Sequence, residues 1–493
     1  MTATVDWAGL AATLSPQTGL LIDGEWGTGA GTHEVISPID GQVVTEIAMA
    51  DAGDVDRAVR AARGAFEDRR WAGMSPMERK DVLVRWAQLV GEHADELAVL
   101  HAVEMGKPAR EAKAIDVRAV VRTLRWYGEA IDKVLDEIPN VGDSAWAQIE
   151  REPAGVAGAI VPWNFPLTMA AWKLAPALAV GCSVVLKPAE QSPLSALLLA
   201  ELAMQAGLPD GVLNVVNGTG PVAGRALAEH PDVDVITFTG STAVGRMIMQ
   251  YAAASNLKRT YLELGGKSAN VIFPDADLDK AARTAAWSVF YNAGQMCTAG
   301  SRLLVHESVY DEVMELVLGV AAEMQPDNPL NPDAPLGAVV SAKHLGTIHG
   351  IVTQGLADSG SLLTGGAPVR TETGGSYYPP TVVDAVRPDS TLGQTEVFGP
   401  VLAVTTFRDE AEALAVANGT VYGLASAVWT NDLNRARRFS KGLRVGTVWV
   451  NCYEEGDLTV PFGGVKQSGH GRDKSLHAMD KFTDLKTTWI ELS

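Results

Sequence analysis

Apolar side chains recur at three- and four-residue spacing through residues 52 to 140, in VDRAVRAARGAF and again from SPMERKDVLVRWAQLV to about Leu135. That period belongs to amphipathic helices. Ser75 and Glu78 stand at capping-box spacing around Pro76, which predicts a helix start there. From Gly155 the rhythm changes. Short β-branched runs (AGAIV, SVVLKP, VLNVV, VDVITF) alternate with helical stretches near 168–180, 193–206 and 222–230. This alternation predicts an α/β fold on a parallel sheet, with ligands beyond the carboxyl ends of the strands. A second α/β pattern runs from about Leu262 to about Gly469. The interval Asp327 to Ser390 is rich in Pro, Gly and Asp and is expected to be loop-heavy, with short helices. Residues 134–152 and the tail from Phe482 are expected at the periphery. The tail, FTDLKTTWIELS, alternates like an exposed strand seeking a partner in another subunit.

Length and composition narrow the picture. A chain of 493 residues exceeds one ordinary core and predicts two or three domains. Apolar residues at 47% and charged ones at 20% make a globular composition. The formal net charge of -19 argues against nucleic acid and anionic membrane surfaces as partners. No apolar run approaches the ~18 residues of a membrane helix, and the N-terminus lacks the basic start of a signal peptide. The cysteines, Cys182, Cys297 and Cys452, form no disulfide framework, so a reducing, cytoplasmic setting is expected. They also offer no metal-ligand spacing, and no metal is expected.

The candidate chemistry centres on FYNAGQMCTAGSR, residues 290–302. Cys297 lies between Gly294 and Gly300 among small and polar neighbours, beyond a helix expected at about 279–292. A buried cysteine is most often a small core hydrophobe, and this setting is odd for packing. Thiolate sulfur can attack an aldehyde carbon, and a nicotinamide ring can take hydride from the adduct. The thioester that remains needs an activated water, an oxyanion donor and a ring shelf. Asn164 in PWNFP can serve the oxyanion, and Glu263 in LELGG the water. Glu396 and Phe398 in EVFGPV complete the set. FTGSTAVG, 238–245, follows a strand and opens a helix, a setting for a diphosphate. Lys187 and Glu190 in LKPAE stand where a ribose could be held, and an acid there favours NAD over NADP.

On these stretches, with YGLAS.VWT and PFGGVKQSG, the chain resembles the NAD(P)-dependent aldehyde dehydrogenase superfamily along nearly its whole length. The resemblance implies an α/β, aldehyde dehydrogenase-like fold: a Rossmann-type NAD domain, an α/β catalytic domain and a small β oligomerisation arm. The expected limits are 1–133 and 153–262, then 263–469, with 134–152 and 470–493 as arm and tail. It implies Cys297 as nucleophile, Glu263 as general base, and Asn164 with the Cys297 N–H as oxyanion hole. Lys173 and Asp473 resemble a second proton-relay pair, with Asp473 where many relatives have Glu. The implied NAD contacts are Trp163, Lys187, Glu190, Phe238, Gly240, Ser241, Thr242, Gly245, Leu264, Glu396 and Phe398. Homodimers or homotetramers are implied.

A narrower likeness, in RWYGEAIDK, SNLKR and GRDKSLHA, is to the branch that oxidises γ-glutamyl-γ-aminobutyraldehyde in putrescine breakdown. Betaine aldehyde, aminobutyraldehyde and general aliphatic aldehydes are the alternatives. Phe165, Trp172 and Phe462 are expected at an aromatic substrate entrance. Asp116 and Asp457, with Glu455 nearby, are the candidate partners of an ammonium head. Relatives that oxidise aminoaldehydes carry a second acid where this chain has Ala119.

Overall fold

The computed structural model describes residues 5–492. Two large sheets organise it. The first orders its strands Gly469–His470, Arg259–Glu263, Val235–Thr239, Val156–Ile160, Ser183–Lys187, Leu213–Val215, Leu20–Ile22 and Glu25–Gly27. Its five central strands run parallel, and antiparallel pairs close both edges. Strands 156–160, 183–187 and 235–239 are buried at every residue. Parallel strands covered on both faces read as unbroken apolar runs, which is how they stood out in the sequence. The second sheet orders Ser361–Thr364, Thr381–Asp384, Val401–Phe407, Arg302–His306, Ala269–Ile272, Ala425–Trp429 and Thr447–Val450. Only its first strand is antiparallel.

Helix Pro166–Val180 positions much of the site. Proline at its first turn fits the helix start, and Gly181 ends it in the left-handed conformation (φ 104°). Every residue in it except Trp172 and Val180 is buried. Leu174 and Leu178 pack into the main core, each burial contributing about 2 kcal/mol. The capping box of Ser75 and Glu78 is present at the start of helix Pro76–Glu92.

Three segments differ from the sequence reading. Helix in the N-terminal stretch ends at Lys133, and Glu137 already bridges Ile149. The stretch 327–390 holds a long helix, Ala342–Asp358. Its three glycines weaken the helical signal, and Gly355 is where Leu392 packs: an added Cβ would lie 2.3 Å from that side chain. The segment after 469 first pairs with the large sheet, His470 facing Leu262. The peripheral ribbon forms later, where Thr483–Glu491 pairs antiparallel with Ala145–Pro153. Among the described residues no helix is long and apolar enough to cross a membrane, and no three potential metal ligands cluster.

Candidate active site

The Cys297 loop is built by forced turns. After helix Leu278–Phe290, Asn292 (φ 51°), Ala293 (φ 53°) and Gly294 (φ 70°) are left-handed in succession. A Cβ on Gly294 would sit 2.0 Å from the Gly399 carbonyl oxygen, so only glycine fits. Gln295 ties the loop down. Its Nε2 donates to the Asn292 carbonyl (3.1 Å), and its Oε1 accepts the Val340 N–H (2.8 Å). Asn164 Nδ2 donates one hydrogen to the Gln295 carbonyl at 2.9 Å, which fixes the amide and leaves its second N–H free. Cys297 follows, half-buried, and lines two cavities at once. Burial pushes its thiol well above the ordinary value, and the charges of Glu454, Glu396 and Glu263 add to that.

The first cavity, about 250 Å³, brings together Trp163, Asn164, Ser241, Glu263, Glu396 and Phe398, with Leu264 and Gly240 beside them. Glu396 Oε1 accepts the Gly266 N–H at 2.8 Å. That approach needs glycine at 265, where a Cβ would lie 2.0 Å from Glu396 Oε2. Burial raises the Glu396 carboxyl to about 7, opposed by the Gly266 N–H and Lys267. Phe398, left-handed at φ 56°, sets its ring 5.3 Å from Trp163. Helix Thr242–Ala254 opens at Ser241, whose hydroxyl accepts the Val244 N–H (3.3 Å).

A dinucleotide fits this cleft. The helix start presents free N–H groups, Gly240 and Gly265 leave the backbone bare, and the buried Thr239 hydroxyl has no partner. Lys187 and Glu190 stand further along the same sheet edge, 3.7 Å apart. Phe238, Thr242 and Gly245 are not in the wall. The Phe238 ring lies beneath Gly240, Gly245 rests on Leu264, and the Thr242 hydroxyl donates to the Gln467 carbonyl.

Glu263 ends its strand with 6% exposure, and its Oε2 has no hydrogen-bond partner. Burial raises its carboxyl well above the ordinary range. The Asp473 charge adds to this, while Lys173, Lys481 and Arg472 oppose it. Asp473 is fully buried between two lysines: Lys173 Nζ at 3.2 Å and Lys481, which contacts the other oxygen. Burial works to raise Asp473, and the two cations override it and hold it low. Lys481 was not legible in the sequence, because a lysine eight residues beyond an acid usually marks a solvated surface.

The second cavity, about 290 Å³, starts at Cys297 and is walled by Phe165, Trp172 and Phe462, with Asp116, Glu454 and Lys474 as its inner charges and the exposed Glu455 also in its lining. Trp172 and Phe462 lie 5.3 Å apart. Asp116 sits on a π-helical turn, Ala112–Val117, and is the buried partner of Lys107 Nζ at 2.5 Å. Its charge is therefore already compensated, although Oδ1 keeps no partner. Asp457 is a correction to the sequence reading. It is exposed outside this cavity, caps the Thr459 N–H at 2.9 Å and faces Arg122 at 3.6 Å. Asp457 starts the turn closed by the Val460 N–H, and Glu454 takes the place inside. The sequence also did not reveal Lys474 or His344. His344 lies on the unexpected helix, with Nε2 2.8 Å from the Phe398 carbonyl.

A family model, the aldehyde dehydrogenase family, matches residues 26–488. The NADP/NAD-dependent aldehyde dehydrogenase PuuC of Escherichia coli (strain K12) is 49% identical over 489 residues, covering 99% of this chain and 98% of that protein. The structure of γ-glutamyl-γ-aminobutyraldehyde dehydrogenase from Burkholderia cenocepacia J2315 is 52% identical, with TM-score 0.97 and 99% of each chain covered. The P. syringae indole-3-acetaldehyde dehydrogenase AldA, in complex with NAD+ and IAA, is 48% identical with TM-score 0.98, again over 99% of both chains. A half-buried cysteine between a dinucleotide cleft and an aromatic cavity, and similarity over the whole length, lead to one conclusion: the chain belongs to the aldehyde dehydrogenase family.

Proposed function

We propose that the chain oxidises an aldehyde to its carboxylic acid with NAD(P)+, preferring NAD+. The Cys297 thiol gives up its proton to water as its sulfur forms a bond to the carbonyl carbon, and the carbonyl oxygen takes the negative charge. The free N–H of Asn164 and the Cys297 backbone N–H hold that oxyanion. NAD(P)+, when bound, supplies the acceptor for the departing hydride. Trp163, Ser241, Leu264, Glu396 and Phe398 hold it, with Lys187 and Glu190 for the adenosine ribose. The acyl group left on Cys297 is then attacked by water. Glu263 takes the proton of that water, and Lys173 and Asp473 carry it onward. The acid leaves, and the thiol is restored. The observation that carries this reading is that Cys297 lines both cavities.

The proposed substrate is γ-glutamyl-γ-aminobutyraldehyde. The Burkholderia cenocepacia enzyme named for that aldehyde supports it, as does the motif GRDKSLHA in this chain. The proposed setting is a cytoplasmic homodimer or homotetramer. The three cysteines are unpaired, and the edge ribbon exposes Leu485 and Trp489 at its rim. The first sheet serves as the cofactor domain and the second as the catalytic domain.

The test is a panel of aldehydes with NAD+ and with NADP+, followed by absorbance of the reduced cofactor. The expected result is highest kcat/KM for the γ-glutamyl aldehyde with NAD+ and no turnover by Cys297→Ala, which still binds cofactor. Higher kcat/KM for hexanal would overturn the substrate assignment. Full activity in Cys297→Ala would overturn the mechanism.

A further inference from the structure

The substrate cavity carries two opposite charges that the mechanism does not employ. Glu454 comes off the strand Thr447–Val450, and Lys474 follows the buried Asp473. Both line the cavity that begins at Cys297. Glu454 Oε1 is buried and accepts no hydrogen bond. Lys474 Nζ makes no ion pair among the described residues. It lies instead over the rings of Trp172 (5.1 Å) and Phe462 (5.6 Å), which wall the same cavity. Among the described residues Glu454 and Lys474 form no ion pair with each other, and both line the same cavity.

Their backbones add a second observation. Glu454 (φ 57°) and Lys474 (φ 59°) are both left-handed, as is Ser475 (φ 52°). Non-glycine residues persist in that region only where the surroundings hold them, and such residues gather at ligand sites. The Ser475 carbonyl is held by the Tyr127 hydroxyl at 3.1 Å, and the Trp449 indole N–H donates to the Glu455 carbonyl at 2.7 Å. Both turns are thus pinned by hydrogen bonds. Of the other acids in the lining, Asp116 is neutralised by Lys107 and Glu455 is exposed to solvent.

We infer that Glu454 and Lys474 bracket an amide in the substrate, Glu454 accepting its N–H and Lys474 donating to its C=O. A neutral amide satisfies both charges. A free ammonium would gain Glu454 and meet repulsion from Lys474. An alkyl chain would leave both unsatisfied, and a site built for hydrogen bonding rejects such a chain strongly. Glu454 and Lys474 are therefore the residues that read the amide of an N-acyl aminoaldehyde such as the substrate proposed above. This inference rests on that proposed function and names the residues that set its specificity.

The experiment measures kcat/KM for N-acetyl-4-aminobutanal, 3-aminopropanal and hexanal in the full-length enzyme. Wild type is expected to prefer the amide. Glu454→Leu is expected to lower the amide-to-hexanal ratio by about 10- to 100-fold, the scale of a lost hydrogen bond to a charge. Glu454→Gln, which keeps an acceptor oxygen, should retain most of that ratio. Lys474→Met should lower the amide ratio and raise the ammonium-to-hexanal ratio. An equal loss on all three aldehydes in Glu454→Leu, or unchanged ratios in both Leu and Met variants, overturns the bracket while leaving aldehyde oxidation intact. Failure of the wild type on every aldehyde overturns both.

Discussion

Replacing Glu263 by Gln keeps the shape of a buried side chain and removes its ability to take a proton. Glu263 is 6% exposed, and one oxygen has no partner in the protein, so the amide can occupy the same space. What changes is the attack of water on the acyl group held by Cys297. A positioned general base contributes about 10²- to 10⁴-fold, equivalent to about 3–5 kcal/mol of barrier. The loss should fall on that step, because the sulfur and Asn164 are untouched and the amide keeps the shape of the side chain that Glu263 presents to the dinucleotide cleft. Stopped-flow fluorescence of the reduced cofactor is expected to show a burst of about one equivalent per subunit. A steady state about 10²- to 10⁴-fold slower than wild type should follow. Mass spectrometry of the quenched enzyme should find the acyl group on Cys297.

The pH profile gives a separate reading of the same residue. Burial raises the Glu263 carboxyl well above its usual 4.5, and the Asp473 charge adds to it. A base works only when deprotonated, so wild-type kcat should fall as pH drops through that raised value, well before ordinary carboxylates titrate. The Gln variant should lack this acid limb. A steady-state rate within about threefold of wild type would refute the reasoning, since a general base contributes more than that. Loss of the burst would refute it differently, by showing that Glu263 serves the sulfur rather than the water.

Two further expectations concern stability. Asp473→Ala strands Lys173 and Lys481 in the interior and should cost about 3–5 kcal/mol in urea unfolding, against little change for a surface acid such as Asp457. Glu104 is raised from 4.5 to about 8 by burial, which outweighs the hydrogen bonds it accepts from Leu194 and Ser195. Its contribution is therefore complete below 4.5 and is lost as pH climbs towards 8, so wild-type urea midpoints should decline across that window and Glu104→Gln should flatten the decline.

What the sequence disclosed follows from local physics. The parallel strands announced themselves as apolar runs, and Ser75, Pro76 and Glu78 marked a helix start because capping acts over four residues. The setting of Cys297 was visible because Gly294 and its small neighbours leave little for a core to pack. The charges of the substrate cavity were hidden for the opposite reason. Glu454 and Lys474 lie twenty positions apart and meet only because two left-handed turns aim them together. Asp116 looked like a free acid, since its neutralising Lys107 is reached across a π-helical turn that no helical periodicity forecasts. His344 was lost with the glycine-bearing helix Ala342–Asp358.

The division of space around the sulfur has a structural cause that links these pieces. Phe165 and Met169 line both cavities, and they lie just before and within the first turn of helix Pro166–Val180. That turn is therefore the partition between the two cavities. It stays in place because the helix behind it is buried along nearly its whole length, and because Asn164 is tied to the Gln295 carbonyl at 2.9 Å. The same bond joins the partition to the Cys297 loop, so Asn164 and the sulfur are held to one another. A displacement of about 1 Å between reacting groups can cost about 10²-fold in rate. The Gln295 carbonyl, two positions before Cys297, accepts from both Asn164 and Asn292, which is how the chain keeps Asn164 in register with a cysteine 133 positions later.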